Sequence, residues 1–337
     1  MAKSEASLQP SVELVDRFRR ALDPFAKLGT KLGLAVSGGP DSVAMLLLAA
    51  AARPSEIEVA TVDHALRPEA RAEAEAVAAL CEKLGVPHSI LTAEWEEKPK
   101  TGLQAKARQE RYRLLGDWAR ERGIGIILVG HHADDQAETF LMRLKRGAGV
   151  KGLAGMRRMT GSPVGGRLAI VRPLLGWRRA ELEQVCADAG VAPAADPSNE
   201  DEQFERVRVR EALGSADWLD AAAIARSARN IAQADAALHY ATTQEWLRAV
   251  TSGSGAIVYT PGNAPAEIRR RVARRAVLHL ASEGRGIDLR GREIDQLMAV
   301  MMTGRKATLR GVLCSGGKHW RFAKAPARAA KAEAAGT

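Results

Sequence analysis

The sequence predicts an α/β protein: a doubly wound parallel sheet followed by a smaller, mainly helical domain. Three observations predict it. Four apolar, strand-like runs (Leu32 to Val36, Ile57 to Val62, His88 to Leu91 and Ile126 to Val129) are each followed by a helical pattern. The first run breaks at Gly38-Gly39 and restarts as an Ala/Leu-rich helix over Val43 to Ala52. From about Asp217 to Met302 Ala-rich helical periodicity dominates, so the domain boundary is expected near residue 215.

Taken in order, Val12 to Leu28 places apolar residues at helical spacing, a helix that packs before the first strand. Pro68 to Leu84, closed by Gly85, carries start and stop signals of a helix between strands two and three. Gln104 to Arg122, ending at Gly123, reads as a long basic helix. Ile126 to Val129 is apolar throughout, as a strand buried on both faces requires, and runs into a further helix through Gly130-His131-His132. Gly147 to Gly166 has little periodicity and is expected to be a mobile loop over the site. Leu168 to Val171 is strand-like and Arg178 to Ala189 helical. Ser252 to Pro265 interrupts the later helical region, Arg305 to Phe322 alternates like a small hairpin, and Ala323 to Thr337 reads as a disordered tail.

The 337 residues suffice for two or three domains. No apolar run approaches the roughly 20 residues of a membrane span, and Met1 to Pro10 lacks a secretory core, so the cytoplasm is the expected compartment and no membrane partner is expected. Cys81, Cys186 and Cys314 are too far apart in sequence for a CxxC metal or redox site and read as small buried hydrophobes. Fifty basic against 40 acidic residues give a charge of +10, which suits a polyanionic partner or a merely solvated basic surface.

The chemistry concentrates at Ser37-Gly38-Gly39-Pro40-Asp41-Ser42. A strand that turns at two glycines into a helix start leaves backbone N–H groups converging on one concavity at the positive end of the helix dipole, an anion cradle. Asp41 names the anion, because a carboxylate beside phosphates is repelled unless a divalent cation lies between them. The expected ligand is therefore a magnesium nucleotide. The stretch fits neither GxxxxGK[ST] nor GxGxxG. An ordinary Gly-rich turn is the competing reading, and Ser315-Gly316-Gly317, which lacks a following Asp-Ser and helix pattern, is expected to be such a turn.

A second constellation follows the fourth strand. On a helix, His131, Asp135 and Glu138 share one face, while Ala133, Ala137, Phe140, Leu141 and Leu144 form the buried one. A solvated face with capping acids would explain Asp134 but not the other three together.

The first stretch resembles the SGGxDS signature of PP-loop pyrophosphatases, the adenine nucleotide alpha hydrolase-like fold, which cleave ATP between the α and β phosphates. The second resembles HHxDDQxET. With Val62-Asp63-His64-Ala65-Leu66-Arg67, Ala107-Arg108-Gln109-Glu110-Arg111-Tyr112 and Gly152-Leu153-Ala154-Gly155-Met156, the ordered set resembles the tRNA(Ile)-lysidine synthetase family. Asp196-Pro197-Ser198-Asn199 and Arg206 continue the likeness, although the family usually carries Asn where this chain has Val207.

The resemblance implies ligation of free L-lysine to C2 of cytidine 34 in the CAU-anticodon tRNA(Ile) through an adenylated cytidine, with AMP and pyrophosphate released. The implied catalytic residues are Asp41, His131, Asp135 and Glu138. ATP would be held by Ser37 to Ser42 with Asp63 and His64, and Mg2+ by Asp41 and Asp135. Asp135 or Glu138 would orient the lysine amine. Arg108, Arg111, Tyr112, Arg143, Arg146, Asn199 and Arg206 would meet tRNA or substrate, and Arg269-Arg270-Arg271 with Arg274-Arg275 would meet RNA phosphates. The expected domains are 1–215, catalytic; 216–303, helical and tRNA-contacting; 304–322, short and β-like; and 323–337, the tail. A homodimer is compatible with the sequence. A tRNA thiolase sharing the adenylation step is disfavoured by the cysteine spacing, and a non-catalytic RNA-binding or nucleotide-sensing relic by the intact Asp41 and Asp135.

Overall fold

A computed structural model describes residues 8–66, 69–95, 102–194, 205–281 and 289–326. The chain divides into two compact units, Met1–Gly147 with Gly152–Asn230, and Ala148–Lys151 with Ile231–Thr337.

In the first unit, α1 (Val12–Leu22) precedes β1 (Leu32–Ala35), α2 (Pro40–Ala52), β2 (Ile57–Asp63), α3 (Glu69–Leu84) and β3 (His88–Thr92). Then follow α4 (Leu103–Glu121), β4 (Ile126–Val129), α5 (Ala133–Lys145), the single turn α6 (Val150–Leu153), whose first two residues are assigned to the second unit, β5 (Met159–Gly161), β6 (Ala169–Val171), α7 (Arg179–Asp188) and α8 (Glu205–Ser215). The strand order is β3-β2-β1-β4-β6-β5, parallel except for the β5–β6 pair. From β1 the chain builds outward first through β2 and β3, then on the other side through β4 and β6. The order therefore reverses between β1 and β4, and the ligand crevice of such a sheet lies beyond the carboxyl ends of those strands. α2 is buried nearly all round, from Ser42 to Ala49, which is why its sequence is apolar without a polar face.

β1 and α4 meet at Gly33, where a Cβ would lie 2.8 Å from the Trp118 ring and 3.2 Å from Ile124 Cγ2. Trp118 and Ile124 are themselves buried and have no room to yield. Gly33→Ala is expected to cost about 1–3 kcal/mol, read as a fall of roughly 3–10 °C in the melting temperature.

The region expected to be a mobile loop instead holds α6 and β5, and β5 extends the sheet antiparallel to β6. Elements of three or four residues are too short to show a period, so no local pattern announces them.

The second unit begins within α9 (Ala221–Ala249), and residue 215, where the sequence places the boundary, ends α8. After α9 come β7 (Val250–Gly253), β8 (Ala256–Tyr259), α10 (Ala266–Ala281), α11 (Gly291–Met302), β9 (Lys306–Leu309), β10 (Val312–Ser315) and β11 (Trp320–Lys324). The interruption near Ser252 and the expected hairpin are parts of one antiparallel sheet, ordered β7-β8-β11-β10-β9. Its core includes Ile257, Tyr259, Val272, Leu297, Trp320 and Phe322, with Tyr259 and Trp320 edge to face at 5.6 Å. Ser315-Gly316-Gly317 turns between β10 and β11, as expected. The expected tail begins too early, since Ala323 and Lys324 pair with Leu313 and Val312 in β11; residues 327–337 lie outside the described residues. Among the described residues, no helix is long and apolar enough to cross a membrane.

Candidate functional site

Beyond β1 the chain passes through Gly38, whose φ of +92° is left-handed and suits glycine alone, to Gly39, the N-cap of α2. Pro40 takes the first helical position, where its missing N–H costs nothing. Ser42 ties the turn from within: its hydroxyl accepts the Ser37 N–H at 3.1 Å and donates to the Gly39 carbonyl at 2.9 Å. β4 closes against this turn at Gly130, where a Cβ would lie 3.1 Å from the Asp41 carbonyl oxygen.

Across the crevice, α5 starts later than the sequence suggests. His131 precedes the helix and His132 is its N-cap, so His131 does not share a helical face with Asp135 and Glu138. The cap is reciprocal: His132 Nδ1 accepts the Asp134 N–H at 3.2 Å, and Asp135 Oδ2 accepts the His132 N–H at 3.0 Å. His132 is the residue that joins the two motifs. Its buried ring places Nε2 3.4 Å from Asp41 Oδ2 and 3.5 Å from Asp135 Oδ2. Burial opposes its charge, but hydrogen bonds to Asp134 and Asp41 and the charges of Asp135 and Asp41 outweigh burial and hold its pKa up to about 10. The bond from the Asp134 N–H belongs to the neutral ring. In the charged ring, Nδ1–H turns to Asp134 Oδ2, 3.5 Å away.

Asp135 is itself held below the usual carboxylate range: burial pushes upward, and the charges of His132 and Arg206, with the His132 N–H, overcome it. His131 behaves oppositely. Burial, aided by Arg172, Arg206 and Arg108 against Asp135, lowers it to about 4, and its Nδ1 is enclosed without a partner. It is therefore a neutral ring available to a ligand. Asp41 Oδ1 is likewise enclosed and unpartnered.

Glu138 occupies the face expected to be polar, yet it is 1 % exposed, while Leu144 of the expected buried face is 50 % exposed. α8 accounts for the exchange. It covers this side of α5 and supplies Arg206, whose Nε donates to Glu138 Oε2 at 2.6 Å and whose terminal nitrogen donates to Asp135 Oδ1 at 3.1 Å. Arg210 donates to Glu138 Oε1 at 2.7 Å. Val207 is buried beside them. Arg206, expected to meet tRNA or substrate, is thus paired with the two carboxylates, whereas Arg210 gave no sequence signal beyond its spacing of four from Arg206.

The other expected residues divide. Asp63 and His64 end β2, next to the cradle; Asp63 Oδ1 accepts the Ala65 N–H at 2.8 Å, and His64 Nε2 lies 3.5 Å from Arg111. Burial first and Arg111 second lower His64 to about 4. The Arg108 guanidinium sits 5.1 Å above the buried Tyr112 ring. Arg143 faces inward, donating to the carbonyls of Gly152 and Gly155 at 2.7 and 3.2 Å, and so fastens the Gly152-to-Met156 segment. The buried Gln136 does the same through both its amide atoms to Met156. Arg146 pairs with Glu205. Asn199 lies outside the described residues. In the second unit Arg270 pairs with Asp295, Arg271 with Asp235 and Glu267, and Arg275 lies 4.4 Å over Trp246, so part of that basic patch serves the unit's own packing.

Among the described residues, no group of three His, Cys, Asp or Glu side chains forms a ready-made metal cage. Asp41 and Asp135, both facing one imidazole nitrogen, offer the donor set that magnesium uses when phosphates and water complete its shell.

The model of the PP-loop domain family matches residues 10–216. A tRNA(Ile)-lysidine synthase from Novosphingobium aromaticivorans is 44% identical over 316 residues, covering 92% of this chain and 93% of that protein. Another from Zymomonas mobilis is 40% identical, covering 89% and 90%. Among solved structures, the U34-tRNA thiolase NcsA from Methanococcus maripaludis superimposes with a TM-score of 0.55 at 18% identity, covering 66% of this chain and 79% of that one, a likeness of fold.

Proposed function

The chain belongs to the tRNA(Ile)-lysidine synthase family of PP-loop proteins, and we propose that it joins free lysine to C2 of cytidine 34 of the CAU-anticodon tRNA(Ile). ATP is consumed to AMP and pyrophosphate, and the product decodes AUA instead of AUG. The observation that carries this reading is the meeting of the Ser37-to-Ser42 turn with the Asp41–His132–Asp135 cluster at the reversal of strand order.

The residues divide the work along the crevice. Pro40 has no N–H, and the Ser37 and Ser42 amides are committed within the turn, so the Gly38, Gly39 and Asp41 amides are the donors for the departing pyrophosphate. Asp41, with its enclosed free oxygen, and Asp135 would hold Mg2+, which neutralises charge on the pyrophosphate as it leaves. Asp63 and His64 border the nucleoside end. Neutral His131, which feels the charges of Asp135, Arg172, Arg206 and Arg108, can hydrogen-bond the reacting α-phosphate. The unpaired base must be drawn out of the anticodon loop to reach it.

Lysine enters as a net cation, with a carboxylate and two ammonium groups. Asp135 and Glu138 orient its ε-ammonium, which must lose a proton before attack, while Arg206 is the cation available to its carboxylate. A sulfur-transfer reaction is disfavoured, because burial pushes Cys81, Cys186 and Cys314 up to about 12 and keeps each a thiol. The cytoplasm, which holds all three substrates, is the proposed compartment.

The test is incorporation of labelled lysine into CAU-anticodon tRNA(Ile) transcript with ATP and Mg2+, against the same transcript carrying U34. Label that requires C34 and survives mild alkali is expected, since an aminoacyl ester hydrolyses and a lysine on a base carbon does not. AMP and pyrophosphate without label would discard lysine as the nucleophile.

A further inference from the structure

We propose that Arg178 is a positioning residue that decides which carboxylates the His132 ring serves. Three acids approach that one imidazole: Asp41 and Asp135 at Nε2, and Asp134 Oδ2 at 3.5 Å from Nδ1. The reaction as read above needs the first two, and the inference rests on that reading.

Asp134 meets the Nδ1 edge of the ring, and α7 limits how far it can draw that edge. Arg178 Nε donates to Asp134 Oδ1 at 3.1 Å and lies 3.3 Å from Oδ2, and a terminal nitrogen lies 3.0 Å from Oδ1. The Arg179 N–H donates to Oδ2 at 2.8 Å. The two helix starts are fastened by the Ala133 N–H to the Trp177 carbonyl at 2.8 Å. Arg178 is itself placed: its N–H donates to Glu181 Oε2 at 2.7 Å, Glu181 receives Arg17 at 2.5 Å, and Arg17 stacks 4.0 Å over Trp177. Asp134, which the sequence offers as a cap of α5, thus commits its oxygens to Arg178 and the Arg179 N–H of α7.

Without the guanidinium, Asp134 keeps the Arg179 N–H on Oδ2, and the His132 ring is the charged partner that remains within reach. Turning to it draws Nδ1 toward Asp134 and tips Nε2 away from Asp41 and Asp135. A displacement of about 1 Å at a reacting centre costs up to about 100-fold in rate.

The test is a suppression experiment on pyrophosphate release at saturating ATP, Mg2+, tRNA and lysine. Arg178→Met is expected to lower kcat at least about tenfold with the KM for ATP within about twofold. Arg178→Lys, which keeps the charge without the fork, should lose less. Asp134→Asn in the Arg178→Met background removes the competing charge and should restore kcat to within about threefold of Asp134→Asn alone. Arg178 also reaches Asp220 at 3.4 Å, and Asp220 caps α9. Asp220→Asn should therefore lower the melting temperature while leaving kcat within about twofold.

A double variant no faster than Arg178→Met overturns the proposal, as does an Asp220→Asn variant as slow as Arg178→Met. Lost activity in Arg178→Met that returns with raised tRNA concentration would make Arg178 an RNA contact and overturns it too. An active Asp41→Ala protein would instead strike down the site reading itself, which keeps the two failures distinct.

Discussion

Asp41→Ala is expected to lower ATP cleavage to AMP and pyrophosphate by about 1000-fold or more, corresponding to roughly 4 kcal/mol of transition-state stabilisation. The side chain stands at the second position of α2, half-exposed, with one oxygen toward His132 and the other enclosed and unpartnered. Removing it leaves the Ser37–Ser42–Gly39 hydrogen bonds intact, so the cradle persists and the melting temperature should move little. What is lost is the anionic donor beside the phosphates. Asp41→Asn preserves volume and one acceptor but not the charge, and should be impaired nearly as much at ordinary Mg2+, with partial recovery as Mg2+ is raised. Equal activity of Asp41→Asn and the parent would remove Asp41 from the metal assignment. Binding of nucleotide without metal supplies the control, since the backbone donors remain.

The parts of the fold that carry their reasons locally are legible in the sequence. The β1–turn–α2 unit spans about twenty residues, and its glycines, proline and apolar helix each carry their reason in the sequence. The same holds for the alternation that builds β2, α3 and β4. The helix start after β4 was misjudged by two residues because the cap is a histidine, a residue outside the usual capping set, and its acceptor role becomes visible only once the Asp134 and Asp135 amide and carboxylate bonds are drawn. That shift moved the central imidazole from His131 to His132. Tertiary partners were illegible for a different reason. Glu138 meets Arg206 and Arg210 across about seventy residues of chain, and β8 meets β11 across a comparable gap. Neither separation leaves a local period, and four-residue strands carry little pattern of their own. Arg143 is the converse case: an arginine beside a Gly-rich segment reads as a phosphate or tRNA contact, while in the structure the carbonyls of that segment take the guanidinium.

Glu138→Ala is expected to separate the two halves of the reaction. The carboxylate is buried between the guanidinium groups of Arg206 and Arg210, at 2.6 and 2.7 Å, and its removal leaves two like charges facing each other. Breaking a fully buried pair costs about 3–5 kcal/mol. Both arginines are about a third or more exposed, so solvent screening reduces the loss to roughly 1–3 kcal/mol. The protein should remain folded at assay temperature with a lowered melting point. Asp41, His132 and the cradle are untouched, so pyrophosphate release should stay within about tenfold of the parent, whereas lysine transfer should fall about 100-fold or more at fixed lysine. Adenylated tRNA would then accumulate, visible as AMP bound to RNA in a single-turnover experiment. Glu138→Gln decides why. It keeps one acceptor for an arginine and most of the packing, and so should regain much of the stability, yet it cannot balance an ammonium. Full lysine transfer by Glu138→Gln would reduce Glu138 to an anchor for α8 and leave Asp135 as the acid that receives the amine. Transfer lost in both variants, with pyrophosphate release retained, would place Glu138 at the lysine end of the crevice.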